Sequence, residues 1–121
     1  MKKLLLSICV VGAAAFAVAG PASAGSTQAH DAASKSIKVG DNYFVRPGAR
    51  PTVSVKKGTT LHFVWAGHAP HDVTVVSGPA KFRSGTAKFS GTYNKVVSKK
   101  GTYSIICTVH GAAMGLVVKV K

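Results

Sequence analysis

Acidic side chains are almost absent from this sequence. Its 121 residues include 16 Lys and Arg but only 3 Asp and Glu, which gives a formal net charge of +13. Cysteine is equally scarce, and 2 residues exclude a multi-disulfide scaffold. The length and a hydrophobic content of 46% suffice for one compact domain. The charge excess therefore bears on binding partners rather than on the fold.

The longest apolar run lies at the amino terminus. Met1–Lys3 supplies positive charge, Leu4–Ala19 is almost wholly apolar, and Ala22–Ala24 has the small-x-small pattern of a signal-peptidase site. A helix of this run, at about 1.5 Å per residue, spans about 24 Å, which is short of a hydrocarbon core of about 30 Å. We therefore predict a cleaved signal peptide over residues 1–24 and an exported protein, located in the periplasm, the cell envelope or the extracellular space.

Cleavage changes the inventory of sulfur side chains. Cys9 leaves with the signal peptide, so that Cys107 is the only thiol and Met114 the only methionine of the mature chain. An unpaired Cys in an oxidising compartment indicates a specific role. Residues 25–35 are rich in Ser, Ala and Thr without periodicity, and we predict that they form a flexible segment before a single domain over residues 36–121.

The domain is predicted to be all-β. Short runs rich in Val, Ile, Thr and aromatic residues alternate with Gly and Pro, and no helical periodicity of useful length occurs. About seven to eight short strands fit a sandwich of two sheets. The predicted strands are Ser36–Gly40, Tyr43–Val45, Thr52–Val55, Thr60–Ala66, His71–Val76, a weaker pair at Lys88–Ser90 and Thr92–Val97, then Thr102–Cys107 and Leu116–Val120.

The residues with metal-binding chemistry are concentrated between the last two predicted strands. Cys107, His110 and Met114 supply a thiol, an imidazole and a thioether within eight residues. These soft and borderline ligands favour copper, and one more nitrogen ligand would complete a trigonal site of two His and one Cys with a weak axial sulfur. His71, at the head of a predicted strand, is our candidate for that ligand.

Each of these residues also has a purely structural interpretation. A lone Cys or Met often fills a core, and a lone His often lies at the surface. The sole mature Cys and the sole mature Met flank His110 closely, and this combination favours the metal site. A catalytic Cys with a His base and Asp72 as the orienting carboxylate is the alternative, but it leaves Met114 without a role.

The other histidines are weaker candidates. His68 lies three residues before His71 and offers a second imidazole, but we expect its side chain on a loop in solvent. His62 alternates with apolar neighbours and is expected on the opposite face of its strand. His30 falls in the predicted flexible segment.

Three segments together resemble the cupredoxins, small blue copper proteins of the plastocyanin, pseudoazurin and amicyanin kind. They are Val53–Trp65, the Pro-His element within Ala69–Val73, and Lys100–His110, which combines Gly-Thr-Tyr with Cys-x-x-His before Met114 and the closing strand. The resemblance covers most of the mature chain, about residues 36–121. It implies a Greek-key β-sandwich and one-electron transfer between Cu(II) and Cu(I).

The resemblance also implies a ligand set for one copper ion per chain. Carried over by position, His71, Cys107 and His110 are the equatorial ligands and Met114 is the axial ligand. Two features depart from the family pattern. The three residues between His110 and Met114 make a spacing between those of plastocyanin-like and amicyanin-like loops, and Asp72 stands where the family often has Asn. Groups around the ligands tune a metal site, so we expect altered electronic properties.

We therefore predict an exported type 1 copper protein that carries single electrons, acts as a monomer and is not an enzyme. Multicopper oxidases and nitrite reductases need further His clusters and a second domain. The basic residues suggest a redox partner protein with an acidic surface, whereas an anionic membrane or cell-wall surface is an alternative. Nucleic acid is disfavoured, because no recognition helix or stacking platform is evident. Copper storage or delivery, and a metal-free interaction module, are the alternative functions.

Overall fold

The computed structural model describes residues 33–121, which form two four-stranded sheets. The predicted signal peptide over residues 1–24 and most of the predicted flexible segment lie outside the described residues. Residues 33–121 contain no helix, and hence none that is long and apolar enough to cross a membrane. The strands are β1 (Ser34–Gly40), β2 (Tyr43–Phe44), β3 (Thr52–Val55), β4 (Thr59–Trp65), β5 (Thr74–Ser77), β6 (Thr92–Val97), β7 (Gly101–Cys107) and β8 (Gly111–Val120).

Both sheets are mixed. One has the strand order β2-β1-β4-β6 and the other has the order β3-β8-β7-β5. β1 runs parallel to β4 and β3 runs parallel to β8, whereas the other neighbouring strands are antiparallel. The prediction of an all-β sandwich with about eight strands is confirmed.

Alternating side chains build the core between the two sheets. On β4, Leu61, Phe63 and Trp65 point inward and are buried, while the residues between them are half-exposed. β8 behaves in the same way, with Leu116, Val118 and Val120 buried as its alternation predicts. The ring of Phe82 lies 6.4 Å from that of Tyr93 on β6 and 6.1 Å from that of Tyr103 on β7, and it closes the sandwich on that side.

The first strand begins two residues before its predicted start. Ser34 and Lys35, which the sequence placed in the flexible segment, pair with Thr60 and Leu61 of β4. Their side chains are exposed, so this part of β1 is held by backbone hydrogen bonds alone. Exposed polar residues at the end of a strand show no alternation of apolar side chains. The start of β1 was therefore predicted two residues too far along the chain.

Three further strand predictions were wrong. The last strand was predicted to begin at Leu116, but it begins at Gly111. The weak strand at Lys88–Ser90 is absent, because only Lys88 pairs, in an isolated bridge with His71. The strand predicted over His71–Val76 begins only at Thr74, where it first meets Ile106 of β7. Residues 71–73 form a connecting segment instead, whose backbone is held by Lys88 and by the hydroxyl of Ser84.

Candidate metal centre

Three side chains predicted as copper ligands converge at one end of the sandwich. The sulfur of Cys107 lies 3.8 Å from Nδ1 of His71 and 3.7 Å from Nδ1 of His110. The donor atoms of all three residues lie within 4.8 Å of one another. His71 is 36 residues from Cys107 in sequence, so this convergence is a product of the fold.

Cys107 and His110 are positioned by the end of β7. Cys107 is the last residue of that strand, and its side chain points into the core. Its carbonyl then accepts a hydrogen bond of 3.2 Å from the amide of His110. This bond closes a four-residue turn, which brings the imidazole of His110 back beside the sulfur.

His71 is held by its backbone on two sides. Its amide and carbonyl exchange hydrogen bonds of 3.0 and 2.9 Å with Lys88, and the same carbonyl accepts a 2.9 Å hydrogen bond from the indole of Trp65. The side chain is completely buried. The ring of His71 therefore occupies a fixed position against that of His110, with 4.9 Å between the ring centroids.

Met114 lies in an irregularity of β8 beside Cys107. Ile106 of β7 faces Gly115, but the next residue, Cys107, faces Gly111. The three residues between those two glycines, Ala112 to Met114, are thus left without partners on β7, as in an enlarged β-bulge. The Met114 side chain is buried in the same core cluster as Cys107. Two of the three residues that separate His110 from Met114 in the sequence, Ala112 and Ala113, belong to this bulge, while the first, Gly111, pairs with Cys107.

The Asp72 carboxylate ties the Cys107 turn to the His71 segment. One of its oxygens accepts a 2.6 Å hydrogen bond from the amide of Thr108, and the other accepts bonds of 2.8 and 2.9 Å from the hydroxyls of Thr108 and Thr74. Burial alone would raise the pKa of Asp72, but these hydrogen bonds outweigh burial and hold the pKa below its ordinary value. The amide of Asp72 also donates to the sulfur of Cys107 at 3.5 Å.

Asp41, which sequence reasoning missed, contacts the other side of His71. Its carboxylate accepts hydrogen bonds of 2.9 Å from the amides of His68 and Ala69, and it lies 3.1 Å from Nε2 of His71. Hydrogen bonds hold the pKa of Asp41 well below its usual range. The largest effect comes from the amide of Ala69, and the His71 ring and the amide of His68 add to it. Asp41 is 30 residues from His71, and no local motif marks it.

Burial of the Cys107 thiol favours its protonated form. Burial raises its pKa above the ordinary value, and the amides of Asp72, Val109 and His110 offset only part of that increase. Binding of a metal ion must therefore displace a proton from this sulfur.

The two sulfur–nitrogen separations agree with those of a trigonal metal site. Bonds of about 2.3 Å to sulfur and about 2.0–2.1 Å to nitrogen, as in zinc sites, place the two donors about 3.8 Å apart at trigonal angles. The observed separations of 3.7 and 3.8 Å agree with this value. A thiol, two imidazoles and a nearby thioether are the donor set of copper electron-transfer sites, so the residues present fit copper.

Solved structures of known copper proteins are similar in fold to this chain, although no protein-family model and no curated protein matches it. The reduced form of an amicyanin variant matches with a TM-score of 0.61 and 26% identity, covering 75% of this chain and 84% of that one. The Cu(I) form of another amicyanin variant matches with the same values. The chain has a cupredoxin-like fold.

The cupredoxin-like fold is also found within larger proteins. A copper-containing nitrite reductase from Thermus scotoductus SA-01 matches with a TM-score of 0.58 and 23% identity, covering 71% of this chain but only 22% of that one. At that identity the match shows the fold alone.

Within residues 33–121, the side chains of His62 and His68 do not join the cluster of His71, Cys107 and His110. The side chain of His68 is 99% exposed, as expected, and its Nδ1 lies 3.6 Å from the Asp41 carboxylate. His62 is on the outward face of β4, where its ring contacts the side chain of Asn94. His30 lies outside the described residues.

Proposed function

We propose that this protein is an exported type 1 copper protein that carries single electrons and is not an enzyme. The observation that supports the proposal best is the convergence of one sulfur and two imidazole nitrogens, with sulfur–nitrogen separations of 3.7 and 3.8 Å and all three atoms within 4.8 Å of one another. Bound copper would supply a one-electron Cu(II)/Cu(I) couple. The proposed ligands are His71, Cys107 and His110 in the trigonal plane and Met114 as the axial sulfur.

Hydrogen bonds to the surrounding chain hold the ligand residues in place. His71 is fixed by Lys88 and Trp65, and the Cys107 turn is fixed by Asp72. A scaffold that keeps the donor atoms in place limits their rearrangement when the metal changes oxidation state. This supports electron transfer over copper storage, because storage requires that the ion be released readily.

His110 provides the route to the surface. His71 and Cys107 are completely buried, whereas His110 is half-buried in a loop of small or apolar residues. Its neighbour Val109 is 51% exposed, and Ala112 and Ala113 are also exposed. A small apolar surface around one imidazole edge lets a redox partner approach the site closely and leave again.

The charge of the domain favours an acidic partner. Asp41 and Asp72 are the only acidic residues among residues 33–121, and both are engaged by hydrogen bonds at the site. Basic residues also border the ligand loop, by which we mean residues 108–113 at the turn into β8. There Arg46 and Arg50 line a small recess with Ala113. We propose that the mature monomer docks on a redox protein with an acidic surface, more weakly as salt is raised.

The test is reconstitution of the purified mature chain with Cu(II). We expect one equivalent to produce an intense visible thiolate-to-copper absorption, which Cys107→Ser abolishes. Substitution of His71 by Ala should abolish the same absorption, while the matched control His68→Ala retains it. Fast and reversible cycling with small redox reagents would support the carrier. Slow exchange with ready transfer of copper to a chelator would overturn the carrier in favour of storage, and no absorption at all would contradict both functions.

A further inference from the structure

The Asp41 carboxylate joins the segment after β1 to the loop after β4. Asp41 follows β1, which runs parallel to β4, so that the two strands end side by side with Val39 opposite Trp65. The carboxylate thereby reaches the loop after β4, where one oxygen accepts from the amide of Ala69 and lies 3.1 Å from Nε2 of His71. Gly67 leaves room for this approach, because a Cβ at its position would collide with the carboxylate.

The contact with Asp41 defines which nitrogen of His71 carries the proton. An ionised carboxylate only accepts hydrogen bonds, so Nε2 must be the donor in this pair. The neutral imidazole then has its free lone pair on Nδ1. That is the atom 3.8 Å from the Cys107 sulfur, on the side where the trigonal site lies. In metal sites, such a carboxylate behind a ligand histidine fixes the tautomer and the ring orientation.

We infer that Asp41 is a positioning residue, which holds His71 with Nδ1 directed at the metal and places a negative charge behind it. The part that concerns copper rests on the function proposed above. A carboxylate behind the ligand stabilises the more highly charged Cu(II) more than Cu(I), so Asp41 lowers the reduction potential and increases the affinity for Cu(II). Asp41 and Asp72 thereby surround the site with negative charge in an otherwise basic domain.

A purely structural role for Asp41 would be capping of the loop after β4 through the amides of His68 and Ala69. Asp41→Asn separates the two roles. Its amide oxygen can replace the carboxylate oxygen that faces all three donors, so those contacts are retained. The charge is lost, together with the 3.0 Å contact between the other oxygen and the amide of His68. Asp41→Ala removes both, and Asp41→Glu restores the charge.

The first readout is nitrogen NMR of the histidine rings in the metal-free protein at mildly alkaline pH. We expect the wild-type His71 ring to carry its proton on Nε2, and the Asp41→Ala ring to populate both tautomers. A wild-type ring protonated on Nδ1 would overturn the inference. This measurement needs no copper, so it remains decisive even if the copper proposal fails.

The second readout is made on the copper-loaded protein. We expect a 10–100-fold loss of Cu(II) affinity in Asp41→Ala, a rise in reduction potential in Asp41→Asn, and recovery of both in Asp41→Glu. Unchanged affinity and potential with a lowered melting temperature would show that Asp41 only caps the loop, and would overturn the inference while leaving the copper site intact. Absence of the thiolate-to-copper absorption in the wild type would instead refute the proposed function.

Discussion

Removal of the Asp72 carboxylate should destabilise the metal-free domain strongly. Asp72→Ala deletes three hydrogen bonds, of 2.6, 2.8 and 2.9 Å, from Thr108 and Thr74. Single hydrogen bonds to ionised groups contribute about 1.5–3 kcal/mol each, but bonds to one carboxylate do not add. Thr108 is exposed and regains water. We therefore expect the free energy of unfolding to fall by about 2–4 kcal/mol, a large part of a typical total of about 5–15 kcal/mol.

The matched variant Asp72→Asn keeps the shape and one acceptor oxygen. It should lose about 1 kcal/mol, because the amide of Thr108 remains bonded and the hydroxyls can reorient toward the new NH₂ group. Urea unfolding of the metal-free proteins measures both values. A loss below about 0.5 kcal/mol in Asp72→Ala would refute the view that this carboxylate holds the Cys107 turn against the His71 segment.

Comparison of the wild type with Asp72→Ala also gives a pH test. Hydrogen bonding holds the pKa of Asp72 lower in the folded state than in the unfolded state. Its contribution is therefore complete above the unfolded pKa, about 3.9, and is lost as the pH falls through the lower folded pKa. The difference in stability between the wild type and Asp72→Ala should shrink on acidification. A difference that is constant through this acid range would contradict the assignment.

Three further predictions concern the core, the surface and the axial ligand. Phe82→Ala should lower the free energy of unfolding by about 3–5 kcal/mol in urea titrations, because the ring closes the sandwich against Tyr93 and Tyr103; a loss under about 1 kcal/mol would exclude that role. Arg46→Glu, beside the ligand loop, should slow oxidation of the Cu(I) protein by ferricyanide at low salt. Lys57→Glu lies at the far end of β4, about 20 Å away, and should slow this oxidation much less than Arg46→Glu does. Equal rates in the two variants would contradict local electrostatic steering. Met114→Leu should keep the thiolate-to-copper absorption but change the reduction potential, and an unchanged potential would show that this sulfur does not reach the metal.

The sandwich could be predicted because its core strands alternate clearly. Leu116, Val118 and Val120 face inward as their spacing requires. Strand ends that carry no such pattern were missed, as at Ser34 and Lys35, where backbone pairing with β4 alone extends the strand. The strand predicted at Lys88–Ser90 was wrong for the opposite reason. The composition of this short run is typical of a strand, but in the structure it makes only a single bridge, through Lys88.

The candidate site was only partly accessible from the sequence. Cys107, His110 and Met114 are close along the chain, so their spacing alone indicated a common centre. The link between Asp41 and His71 depends on the parallel pairing of β1 with β4, which joins positions 30 residues apart. The pairing of two parallel strands cannot be recognised from local composition. A single Asp after a strand resembles an ordinary turn residue.

The most direct test of the copper site is X-ray absorption at the copper edge on the loaded mature protein. We predict one short sulfur ligand and two imidazole nitrogens around a single ion, with the sulfur lost in Cys107→Ser. A first coordination sphere made only of nitrogen and oxygen in the wild type would contradict the account.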